Sequence, residues 1–130
     1  MRVVHVPDGG EDPASGTVLA SDVEVADSTL ALARGLRFRS SIPDDYAFVM
    51  RVGGASIGPA GEGARTLVDM LFVPFPIDVV WLRGTTVVTV ETLRPWLGVG
   101  YARADTIVEL PAGAATDVAV GDTVRVEGAG

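Results

Sequence analysis

The sequence predicts a mostly β protein, a single-domain β-sandwich or jelly-roll-like barrel over residues 1–130 with one short α-helix at about 28–34. Three observations carry that prediction. Short apolar runs rich in valine, broken by Gly, Pro and Asp, recur from end to end, which is the signature of strands rather than helices. Eight such runs in one short chain leave a sandwich, jelly roll or barrel as the architecture that buries them. A chain of 130 residues with 48% hydrophobic content and no cysteine can also form a core without a disulfide staple.

The expected strands are Arg2 to Val6, Thr17 to Ala26, Tyr46 to Val52, Thr66 to Val73, Ile77 to Leu82, Thr85 to Thr92, Asp105 to Leu110 and Thr123 to Glu127. His5, near the terminus, reads as a surface or edge residue. Residues 9–16 and 53–65 read as loops. The helix has Asp27 or Ser28 to cap its first free N–H groups and Gly35 to end it in the left-handed conformation, folding Leu36 back on Leu30. Asp44 and Asp45, after Pro43, suit a turn. Ile77 to Leu82 and Thr85 to Thr92 form a hairpin around Arg83-Gly84, glycine supplying the positive φ. The period of two sets Ile77, Val79 and Trp81 on one face and Asp78, Val80 and Leu82 on the other, so Asp78 is a carboxylate on an apolar face. A second helical turn is expected at Ala114 to Val118, before Gly121-Asp122 turns the chain into its last strand.

Charge narrows the functional classes. Seventeen acidic residues oppose ten basic ones, a formal net charge of −7, and all ten basic residues are arginine. Asparagine and glutamine are also missing, and the excess of Ala, Gly, Val, Asp and Arg suits a GC-rich genome. That composition fits a halophile, in which molar salt shortens the screening length and tolerates self-repulsion. An acidic chain is a poor ligand for phosphate backbones or anionic bilayers, so neither nucleic acid nor membrane is an expected partner. The N-terminal run is too short for a signal-peptide core, and no stretch has the apolar length to span a bilayer, giving a cytoplasmic reading. Without cysteine and with one histidine, a nitrogen- or thiolate-bound metal is excluded, and no cofactor is expected.

Three segments, in order, resemble a known family. Val23 to Thr29 followed by Ala33-Arg34-Gly35-Leu36-Arg37-Phe38-Arg39 is similar to its helix and Arg-Gly-Leu-x-Phe-Arg signature. Met70 followed by Pro76-Ile77-Asp78-Val79 resembles its Met to Pro-Leu-Asp segment. Thr106 to Gly113 with Val120-Gly121-Asp122-Thr123-Val124 resembles its Leu-Glu-Leu-x-x-Gly and Gly-Asp-x-Val ending. These spacings resemble domain-of-unknown-function family 192 from about residue 23 to residue 127. The resemblance implies a β-sandwich or jelly-roll-like fold and no particular activity. The family's Lys-Asn-Thr after the methionine is replaced here by Leu71-Phe72-Val73, an apolar strip in place of polar groups.

Nucleophile and phosphate motifs are absent in substance. Gly54-Ala55-Ser56-Ile57-Gly58 matches a hydrolase elbow in letters only, since that motif needs an α/β sheet and a later histidine. Residues 58–66 lack the spacing and the lysine of a phosphate loop. Two carboxylates, Asp78 and Glu109, form the weak catalytic candidate, an acid–base or cation-binding pair beside an arginine, although Glu109 reads as lying on a polar or rim face. Arg34, Arg37 and Arg39 are the one basic cluster, suited to an anion pocket or to pairing with a carboxylate, with Asp78 as the natural counterpart. Phe72, Phe75, Trp96 and Tyr101 are candidate lining for an apolar groove, and Pro74 and Pro76 mark that stretch as an edge or bend. The leading expectation is a non-enzymatic module that binds a small ligand or a protein through Phe75, Trp96 and Tyr101 with Arg34 or Arg39 nearby. A hydrolase-type enzyme and a structural, oligomerising protein are the alternatives.

Overall fold

The computed structural model describes residues 1–8, 16–26, 36, 39–51 and 65–128. They form ten strands: β1 (Arg2–Val6), β2 (Thr17–Ala20), β3 (Asp22–Ala26), β4 (Tyr46–Arg51), β5 (Arg65–Asp69), β6 (Ile77–Arg83), β7 (Thr86–Leu93), β8 (Val99–Arg103), β9 (Thr106–Pro111) and β10 (Thr123–Glu127). Eight make one sheet in the order β2-β1-β10-β7-β6-β9-β4-β3, and β5 and β8 make a separate two-stranded ribbon. The result is β-sandwich-like, and its sheets do not close into a barrel.

The large sheet bends back on itself. β2 and β3 are its two edges, yet only Ser21 separates them in sequence, and the amides of Ser21 and Asp22 both donate to the Asp45 carbonyl at 2.9 Å. The bend sits between β10 and β7, which pair only at Thr123 and Thr86. Val3, Ala20 and Val124 of the β2-β1-β10 wing therefore pack with Val80, Leu82, Val108 and Val49 of the other wing in one buried cluster. On the opposite face of β6, β9 and β4, a second cluster of Phe48, Val79, Trp81 and Ile107 is covered by Val68 and Met70 around the ribbon and by Leu36. Continuous apolar runs such as Tyr46–Met50 and Val79–Leu82 follow directly, because these central strands are buried on both faces.

Close approach fixes the ribbon's height. A Cβ built on Gly100 of β8 would lie 2.6 Å from Trp81 Cη2 and from Glu91 Oε2, so only glycine lets β8 settle there. Among the described strands, β3 and β4 are the parallel pair, in register from Asp22 opposite Tyr46 to Ala26 opposite Met50.

Several expectations shift by small amounts. The run Thr17 to Ala26 is two strands, broken at Ser21 where the chain passes from one edge of the sheet to the other. The hairpin is present, but its two-residue loop is Gly84-Thr85 rather than Arg83-Gly84, with Arg83 opposite Thr86. Gly84 at φ 60° occupies the first loop position, which is where a type II′ turn needs glycine. Residues 112–117 form successive turns and no helix, and β8 was not among the expected strands because its glycine and exposed Tyr101 break the valine pattern. The helix at 28–34, and with it the cap at Gly35, lies outside the described residues, as does the motif at 54–58.

Candidate functional site

Register settles the carboxylate pair. Asp78 lies opposite Leu110 and Thr92, whereas Glu109 lies opposite Val79 and Phe48. Directly opposed residues share a face, so the two carboxylates leave opposite faces of the sheet and belong to different cores. They form no two-carboxylate site.

Asp78 is 3% exposed and fully engaged. Its Oδ1 accepts from the Thr92 hydroxyl at 2.7 Å, and its Oδ2 accepts from the amides of Gly113 at 3.0 Å and Ala115 at 2.9 Å. The expected arginine partner is thus replaced by a hydroxyl and two backbone amides. A carboxylate accepts several bonds at once, and here it ties the turn after β9 to the β6–β7 hairpin. Glu109, expected on a polar rim, is 5% exposed, and it too has a partner within the chain. No buried side-chain polar atom among the described residues lacks a hydrogen bond.

Arg39 is likewise committed. Its guanidinium donates to Glu24 at 3.0 and 3.3 Å and lies 5.2 Å above the Tyr46 ring, while the Tyr46 hydroxyl donates to Glu24 at 3.2 Å. Burial pushes the Tyr46 hydroxyl up, and Glu24 adds to that while Arg39 opposes it. Burial alone would lower the Arg39 pKa, but its bond to Glu24 and the proximity of Tyr46 raise it. This group spans β4 and β3, three and four strands from β7 in the sheet, about 14–19 Å at the usual strand spacing. Arg39 is therefore a clamp on the β3 edge and not part of a groove near Trp96. Arg34 and Arg37 lie outside the described residues.

A histidine dyad was not foreseen. His5, read from the sequence as an edge residue, is 3% exposed, and its Nε2 sits 2.8 Å from Asp122 Oδ2. Asp122 also accepts from the amides of Asp8 at 2.8 Å and Ala119 at 2.9 Å. Burial would raise the Asp122 pKa, yet the bond to His5 and the two amides outweigh it and hold the carboxyl below its usual range. The signal in the sequence was the alternation of β1, which places His5 on the same side as the fully buried Val3.

The exposed residues assemble elsewhere. Leu71, Phe72, Trp96, Leu97, Val99 and Tyr101 are six of the nine exposed large hydrophobic residues among those described, and they lie on β8 and the loops at its start. Two backbone bonds join their loops, Met70 N–H to Gly98 O at 3.0 Å and Trp96 N–H to Val73 O at 3.1 Å. Asp69, opposite Val99 in the ribbon, accepts the Leu71 amide at 3.1 Å and holds the first loop in its turn. Phe72 and Trp96 both take φ 64°, the left-handed region that bulky side chains avoid, and their rings meet edge to face at 6.0 Å. Phe75 is half-buried against the inner core, so it supports this surface rather than forming it. Trp96 stands exposed, as its loop position suggested, and so does Tyr101.

Beside this platform lies an open groove of about 530 Å³, with residues 91–94 on one side and 97–99 on the other. The same β7 residues carry Thr92, whose hydroxyl is held by Asp78. Among the described residues, no three acidic or histidine side chains come together to hold a metal.

Comparison with known proteins agrees with this architecture. A protein from Sinorhizobium meliloti 1021, described as a candidate transcription regulator, superposes with a TM-score of 0.72 at 21% identity, covering 95% of this chain and 91% of that one. A protein of unknown function from Novosphingobium aromaticivorans DSM 12444 gives 0.74 at 16% identity, covering 97% and 84%. At such identities the likeness is one of fold. No curated protein matches the chain. The family model DUF192, described as uncharacterized ACR, matches residues 11–126, nearly the whole of the strand framework described above, and the chain belongs to that family.

Proposed function

We propose that the chain is a non-enzymatic interaction module that docks another protein through the platform of Leu71, Phe72, Trp96, Leu97, Val99 and Tyr101. One observation carries this reading. Two bulky aromatics are held side by side in the left-handed region while staying about half exposed. Such backbone costs about 1–3 kcal/mol per residue, and partial burial returns little of it. Strain kept without a packing reward points to use at the surface, and tryptophan and tyrosine are the residues that anchor protein interfaces. The engagement of Asp78 by three protein donors, and its separation from Glu109 by the sheet, support binding over hydrolysis.

The acidic, lysine-free composition supports a salt-adapted cytoplasmic setting for that module. The test compares immobilised wild-type protein with a Phe72→Ser/Trp96→Ser variant as baits in an extract of the source cells. A protein retained by the wild type alone, which rebinds in purified form with micromolar affinity or better, is the expected result. Identical retention by both surfaces would remove the platform from consideration.

A further inference from the structure

The outer edge of β7 is open where the groove runs. Among the described residues, β10 meets β7 only at Thr86, and the bonds of Val87 to Asp122 and Gly121 are the last on that side. From Val88 to Leu93 the strand pairs with β6 alone among the described residues. In an edge strand, alternate residues turn their N–H and C=O groups outward, so this stretch presents main-chain donors and acceptors, although the Val88 carbonyl already accepts from the Thr89 hydroxyl at 2.7 Å.

The groove lies along that edge rather than over a face. Glu91 shares a face with Val79, and Thr92 shares the opposite face with Asp78, yet both line the groove. Residues of both parities line a groove that runs past the backbone at the rim of a sheet, which fits this lining. The far wall is Leu97 and Val99, 74% and 59% exposed, continuous with Trp96. An unpaired strand edge facing an apolar wall is the arrangement that accepts an added strand.

We infer that β7 receives an extended segment of a partner protein as an additional strand, paired to residues 88–93 and flanked by Leu97 and Val99. This rests on the docking reading above and specifies its geometry. The occupant's chemistry follows from charge. Glu91 is exposed and lines the groove, and the whole chain carries a net charge of −7, so the fitting segment is basic on the positions that meet Glu91 and apolar on those that meet Leu97 and Val99. The unpaired stretch from Val88 to Leu93 gives the segment roughly six residues of pairing, and Arg94 lines the groove beyond it.

The probe is a capped peptide of roughly eight residues alternating lysine and valine, in about 0.1 M KCl, beside the same peptide N-methylated at every second amide. N-methylation removes the donors of one edge and leaves side chains and charge alone, so it separates strand addition from adhesion. Expected are saturable binding with Kd below about 1 mM, loss of at least about tenfold on N-methylation, a similar loss in Val99→Asp, and slowed hydrogen exchange at alternate amides of residues 88–93. Equal binding of the methylated peptide, unchanged exchange at 88–93, or no binding at all would each overturn the inference. So would protection of the same amides by self-association of the protein alone, which would make a second copy the occupant. If the methylated peptide binds equally but Phe72→Ser/Trp96→Ser abolishes binding, the platform stands and strand addition falls. If that variant binds normally with protected amides, the edge stands and the platform falls.

Discussion

Removing the Asp78 carboxylate tests whether this residue is scaffold. Three donors converge on it, the Thr92 hydroxyl and the amides of Gly113 and Ala115, at 2.7 to 3.0 Å in a site only 3% exposed. Hydrogen bonds to a charged acceptor contribute about 1.5–3 kcal/mol each, and a buried donor left alone costs about 1–3 kcal/mol. Against this stands the desolvation cost of the buried carboxylate, several kcal/mol, which the variant no longer bears. Asp78→Ala orphans two amides and a hydroxyl, for a net loss of about 3–5 kcal/mol. Asp78→Asn keeps one oxygen for the two amides and turns its NH₂ toward the Thr92 oxygen, so it forfeits only the charge assistance, about 1–2 kcal/mol. Urea unfolding of the three proteins at one fixed salt concentration measures both differences. Hydrogen exchange then localises the effect, with the amides of Gly113 and Ala115 losing protection before the β6–β9 ladder does. A cost below about 1 kcal/mol for Asp78→Ala, or equal costs for Ala and Asn, would refute the account of Asp78 as the acceptor that pins this turn.

Acid should weaken the protein through Asp122. Its folded pKa is depressed, so its contribution is complete above the ordinary value of 3.8 and is lost as pH falls through the lower folded value. Urea midpoints taken downward from pH 5 should fall more steeply for wild type than for Asp122→Ala, and parallel curves would contradict the assignment. Gly100→Ala forces a methyl into Trp81 and Glu91, and because Trp81 is fully buried the ribbon must lift, at a cost of about 1–3 kcal/mol by thermal or urea melts. Trp96→Gly should change stability by less than about 1 kcal/mol, relief of the left-handed backbone offsetting modest packing, whereas a core tryptophan would cost about 3–5 kcal/mol. Stability should rise from about 0.1 M to about 3 M KCl, since a net charge of −7 repels itself most where screening is weakest, and equal melting temperatures would count against salt adaptation.

What the sequence determined by itself was local. Valine alternation and turn residues placed β1 and β10 at their observed bounds, located the β6–β7 hairpin to within one residue of its loop, and marked Asp78 as a carboxylate on an apolar face. Those features arise from backbone periodicity and glycine stereochemistry, which act over a few residues and leave their trace there. The exposure of Trp96 was legible for a similar reason, since it sits in the loop-forming run Arg94 to Gly98.

Tertiary structure decided what depended on partners distant in sequence. Asp78 meets the amides of residues 113 and 115, not an arginine, because the β6–β9 pairing brings the following turn over it. Asp78 and Glu109 part company because register assigns them to opposite faces, and a shift of one residue would have joined them. His5 is buried because β1 lies between β2 and β10 and the sheet bends over it; alternation puts it on the side of Val3, but only the strand order buries that side. The pairing of Phe72 with Trp96, and the open edge of β7 beside them, exist only because two loops are tied together and the sheet turns away after Thr86. Both are long-range results of strand order, which short-range sequence preferences do not encode.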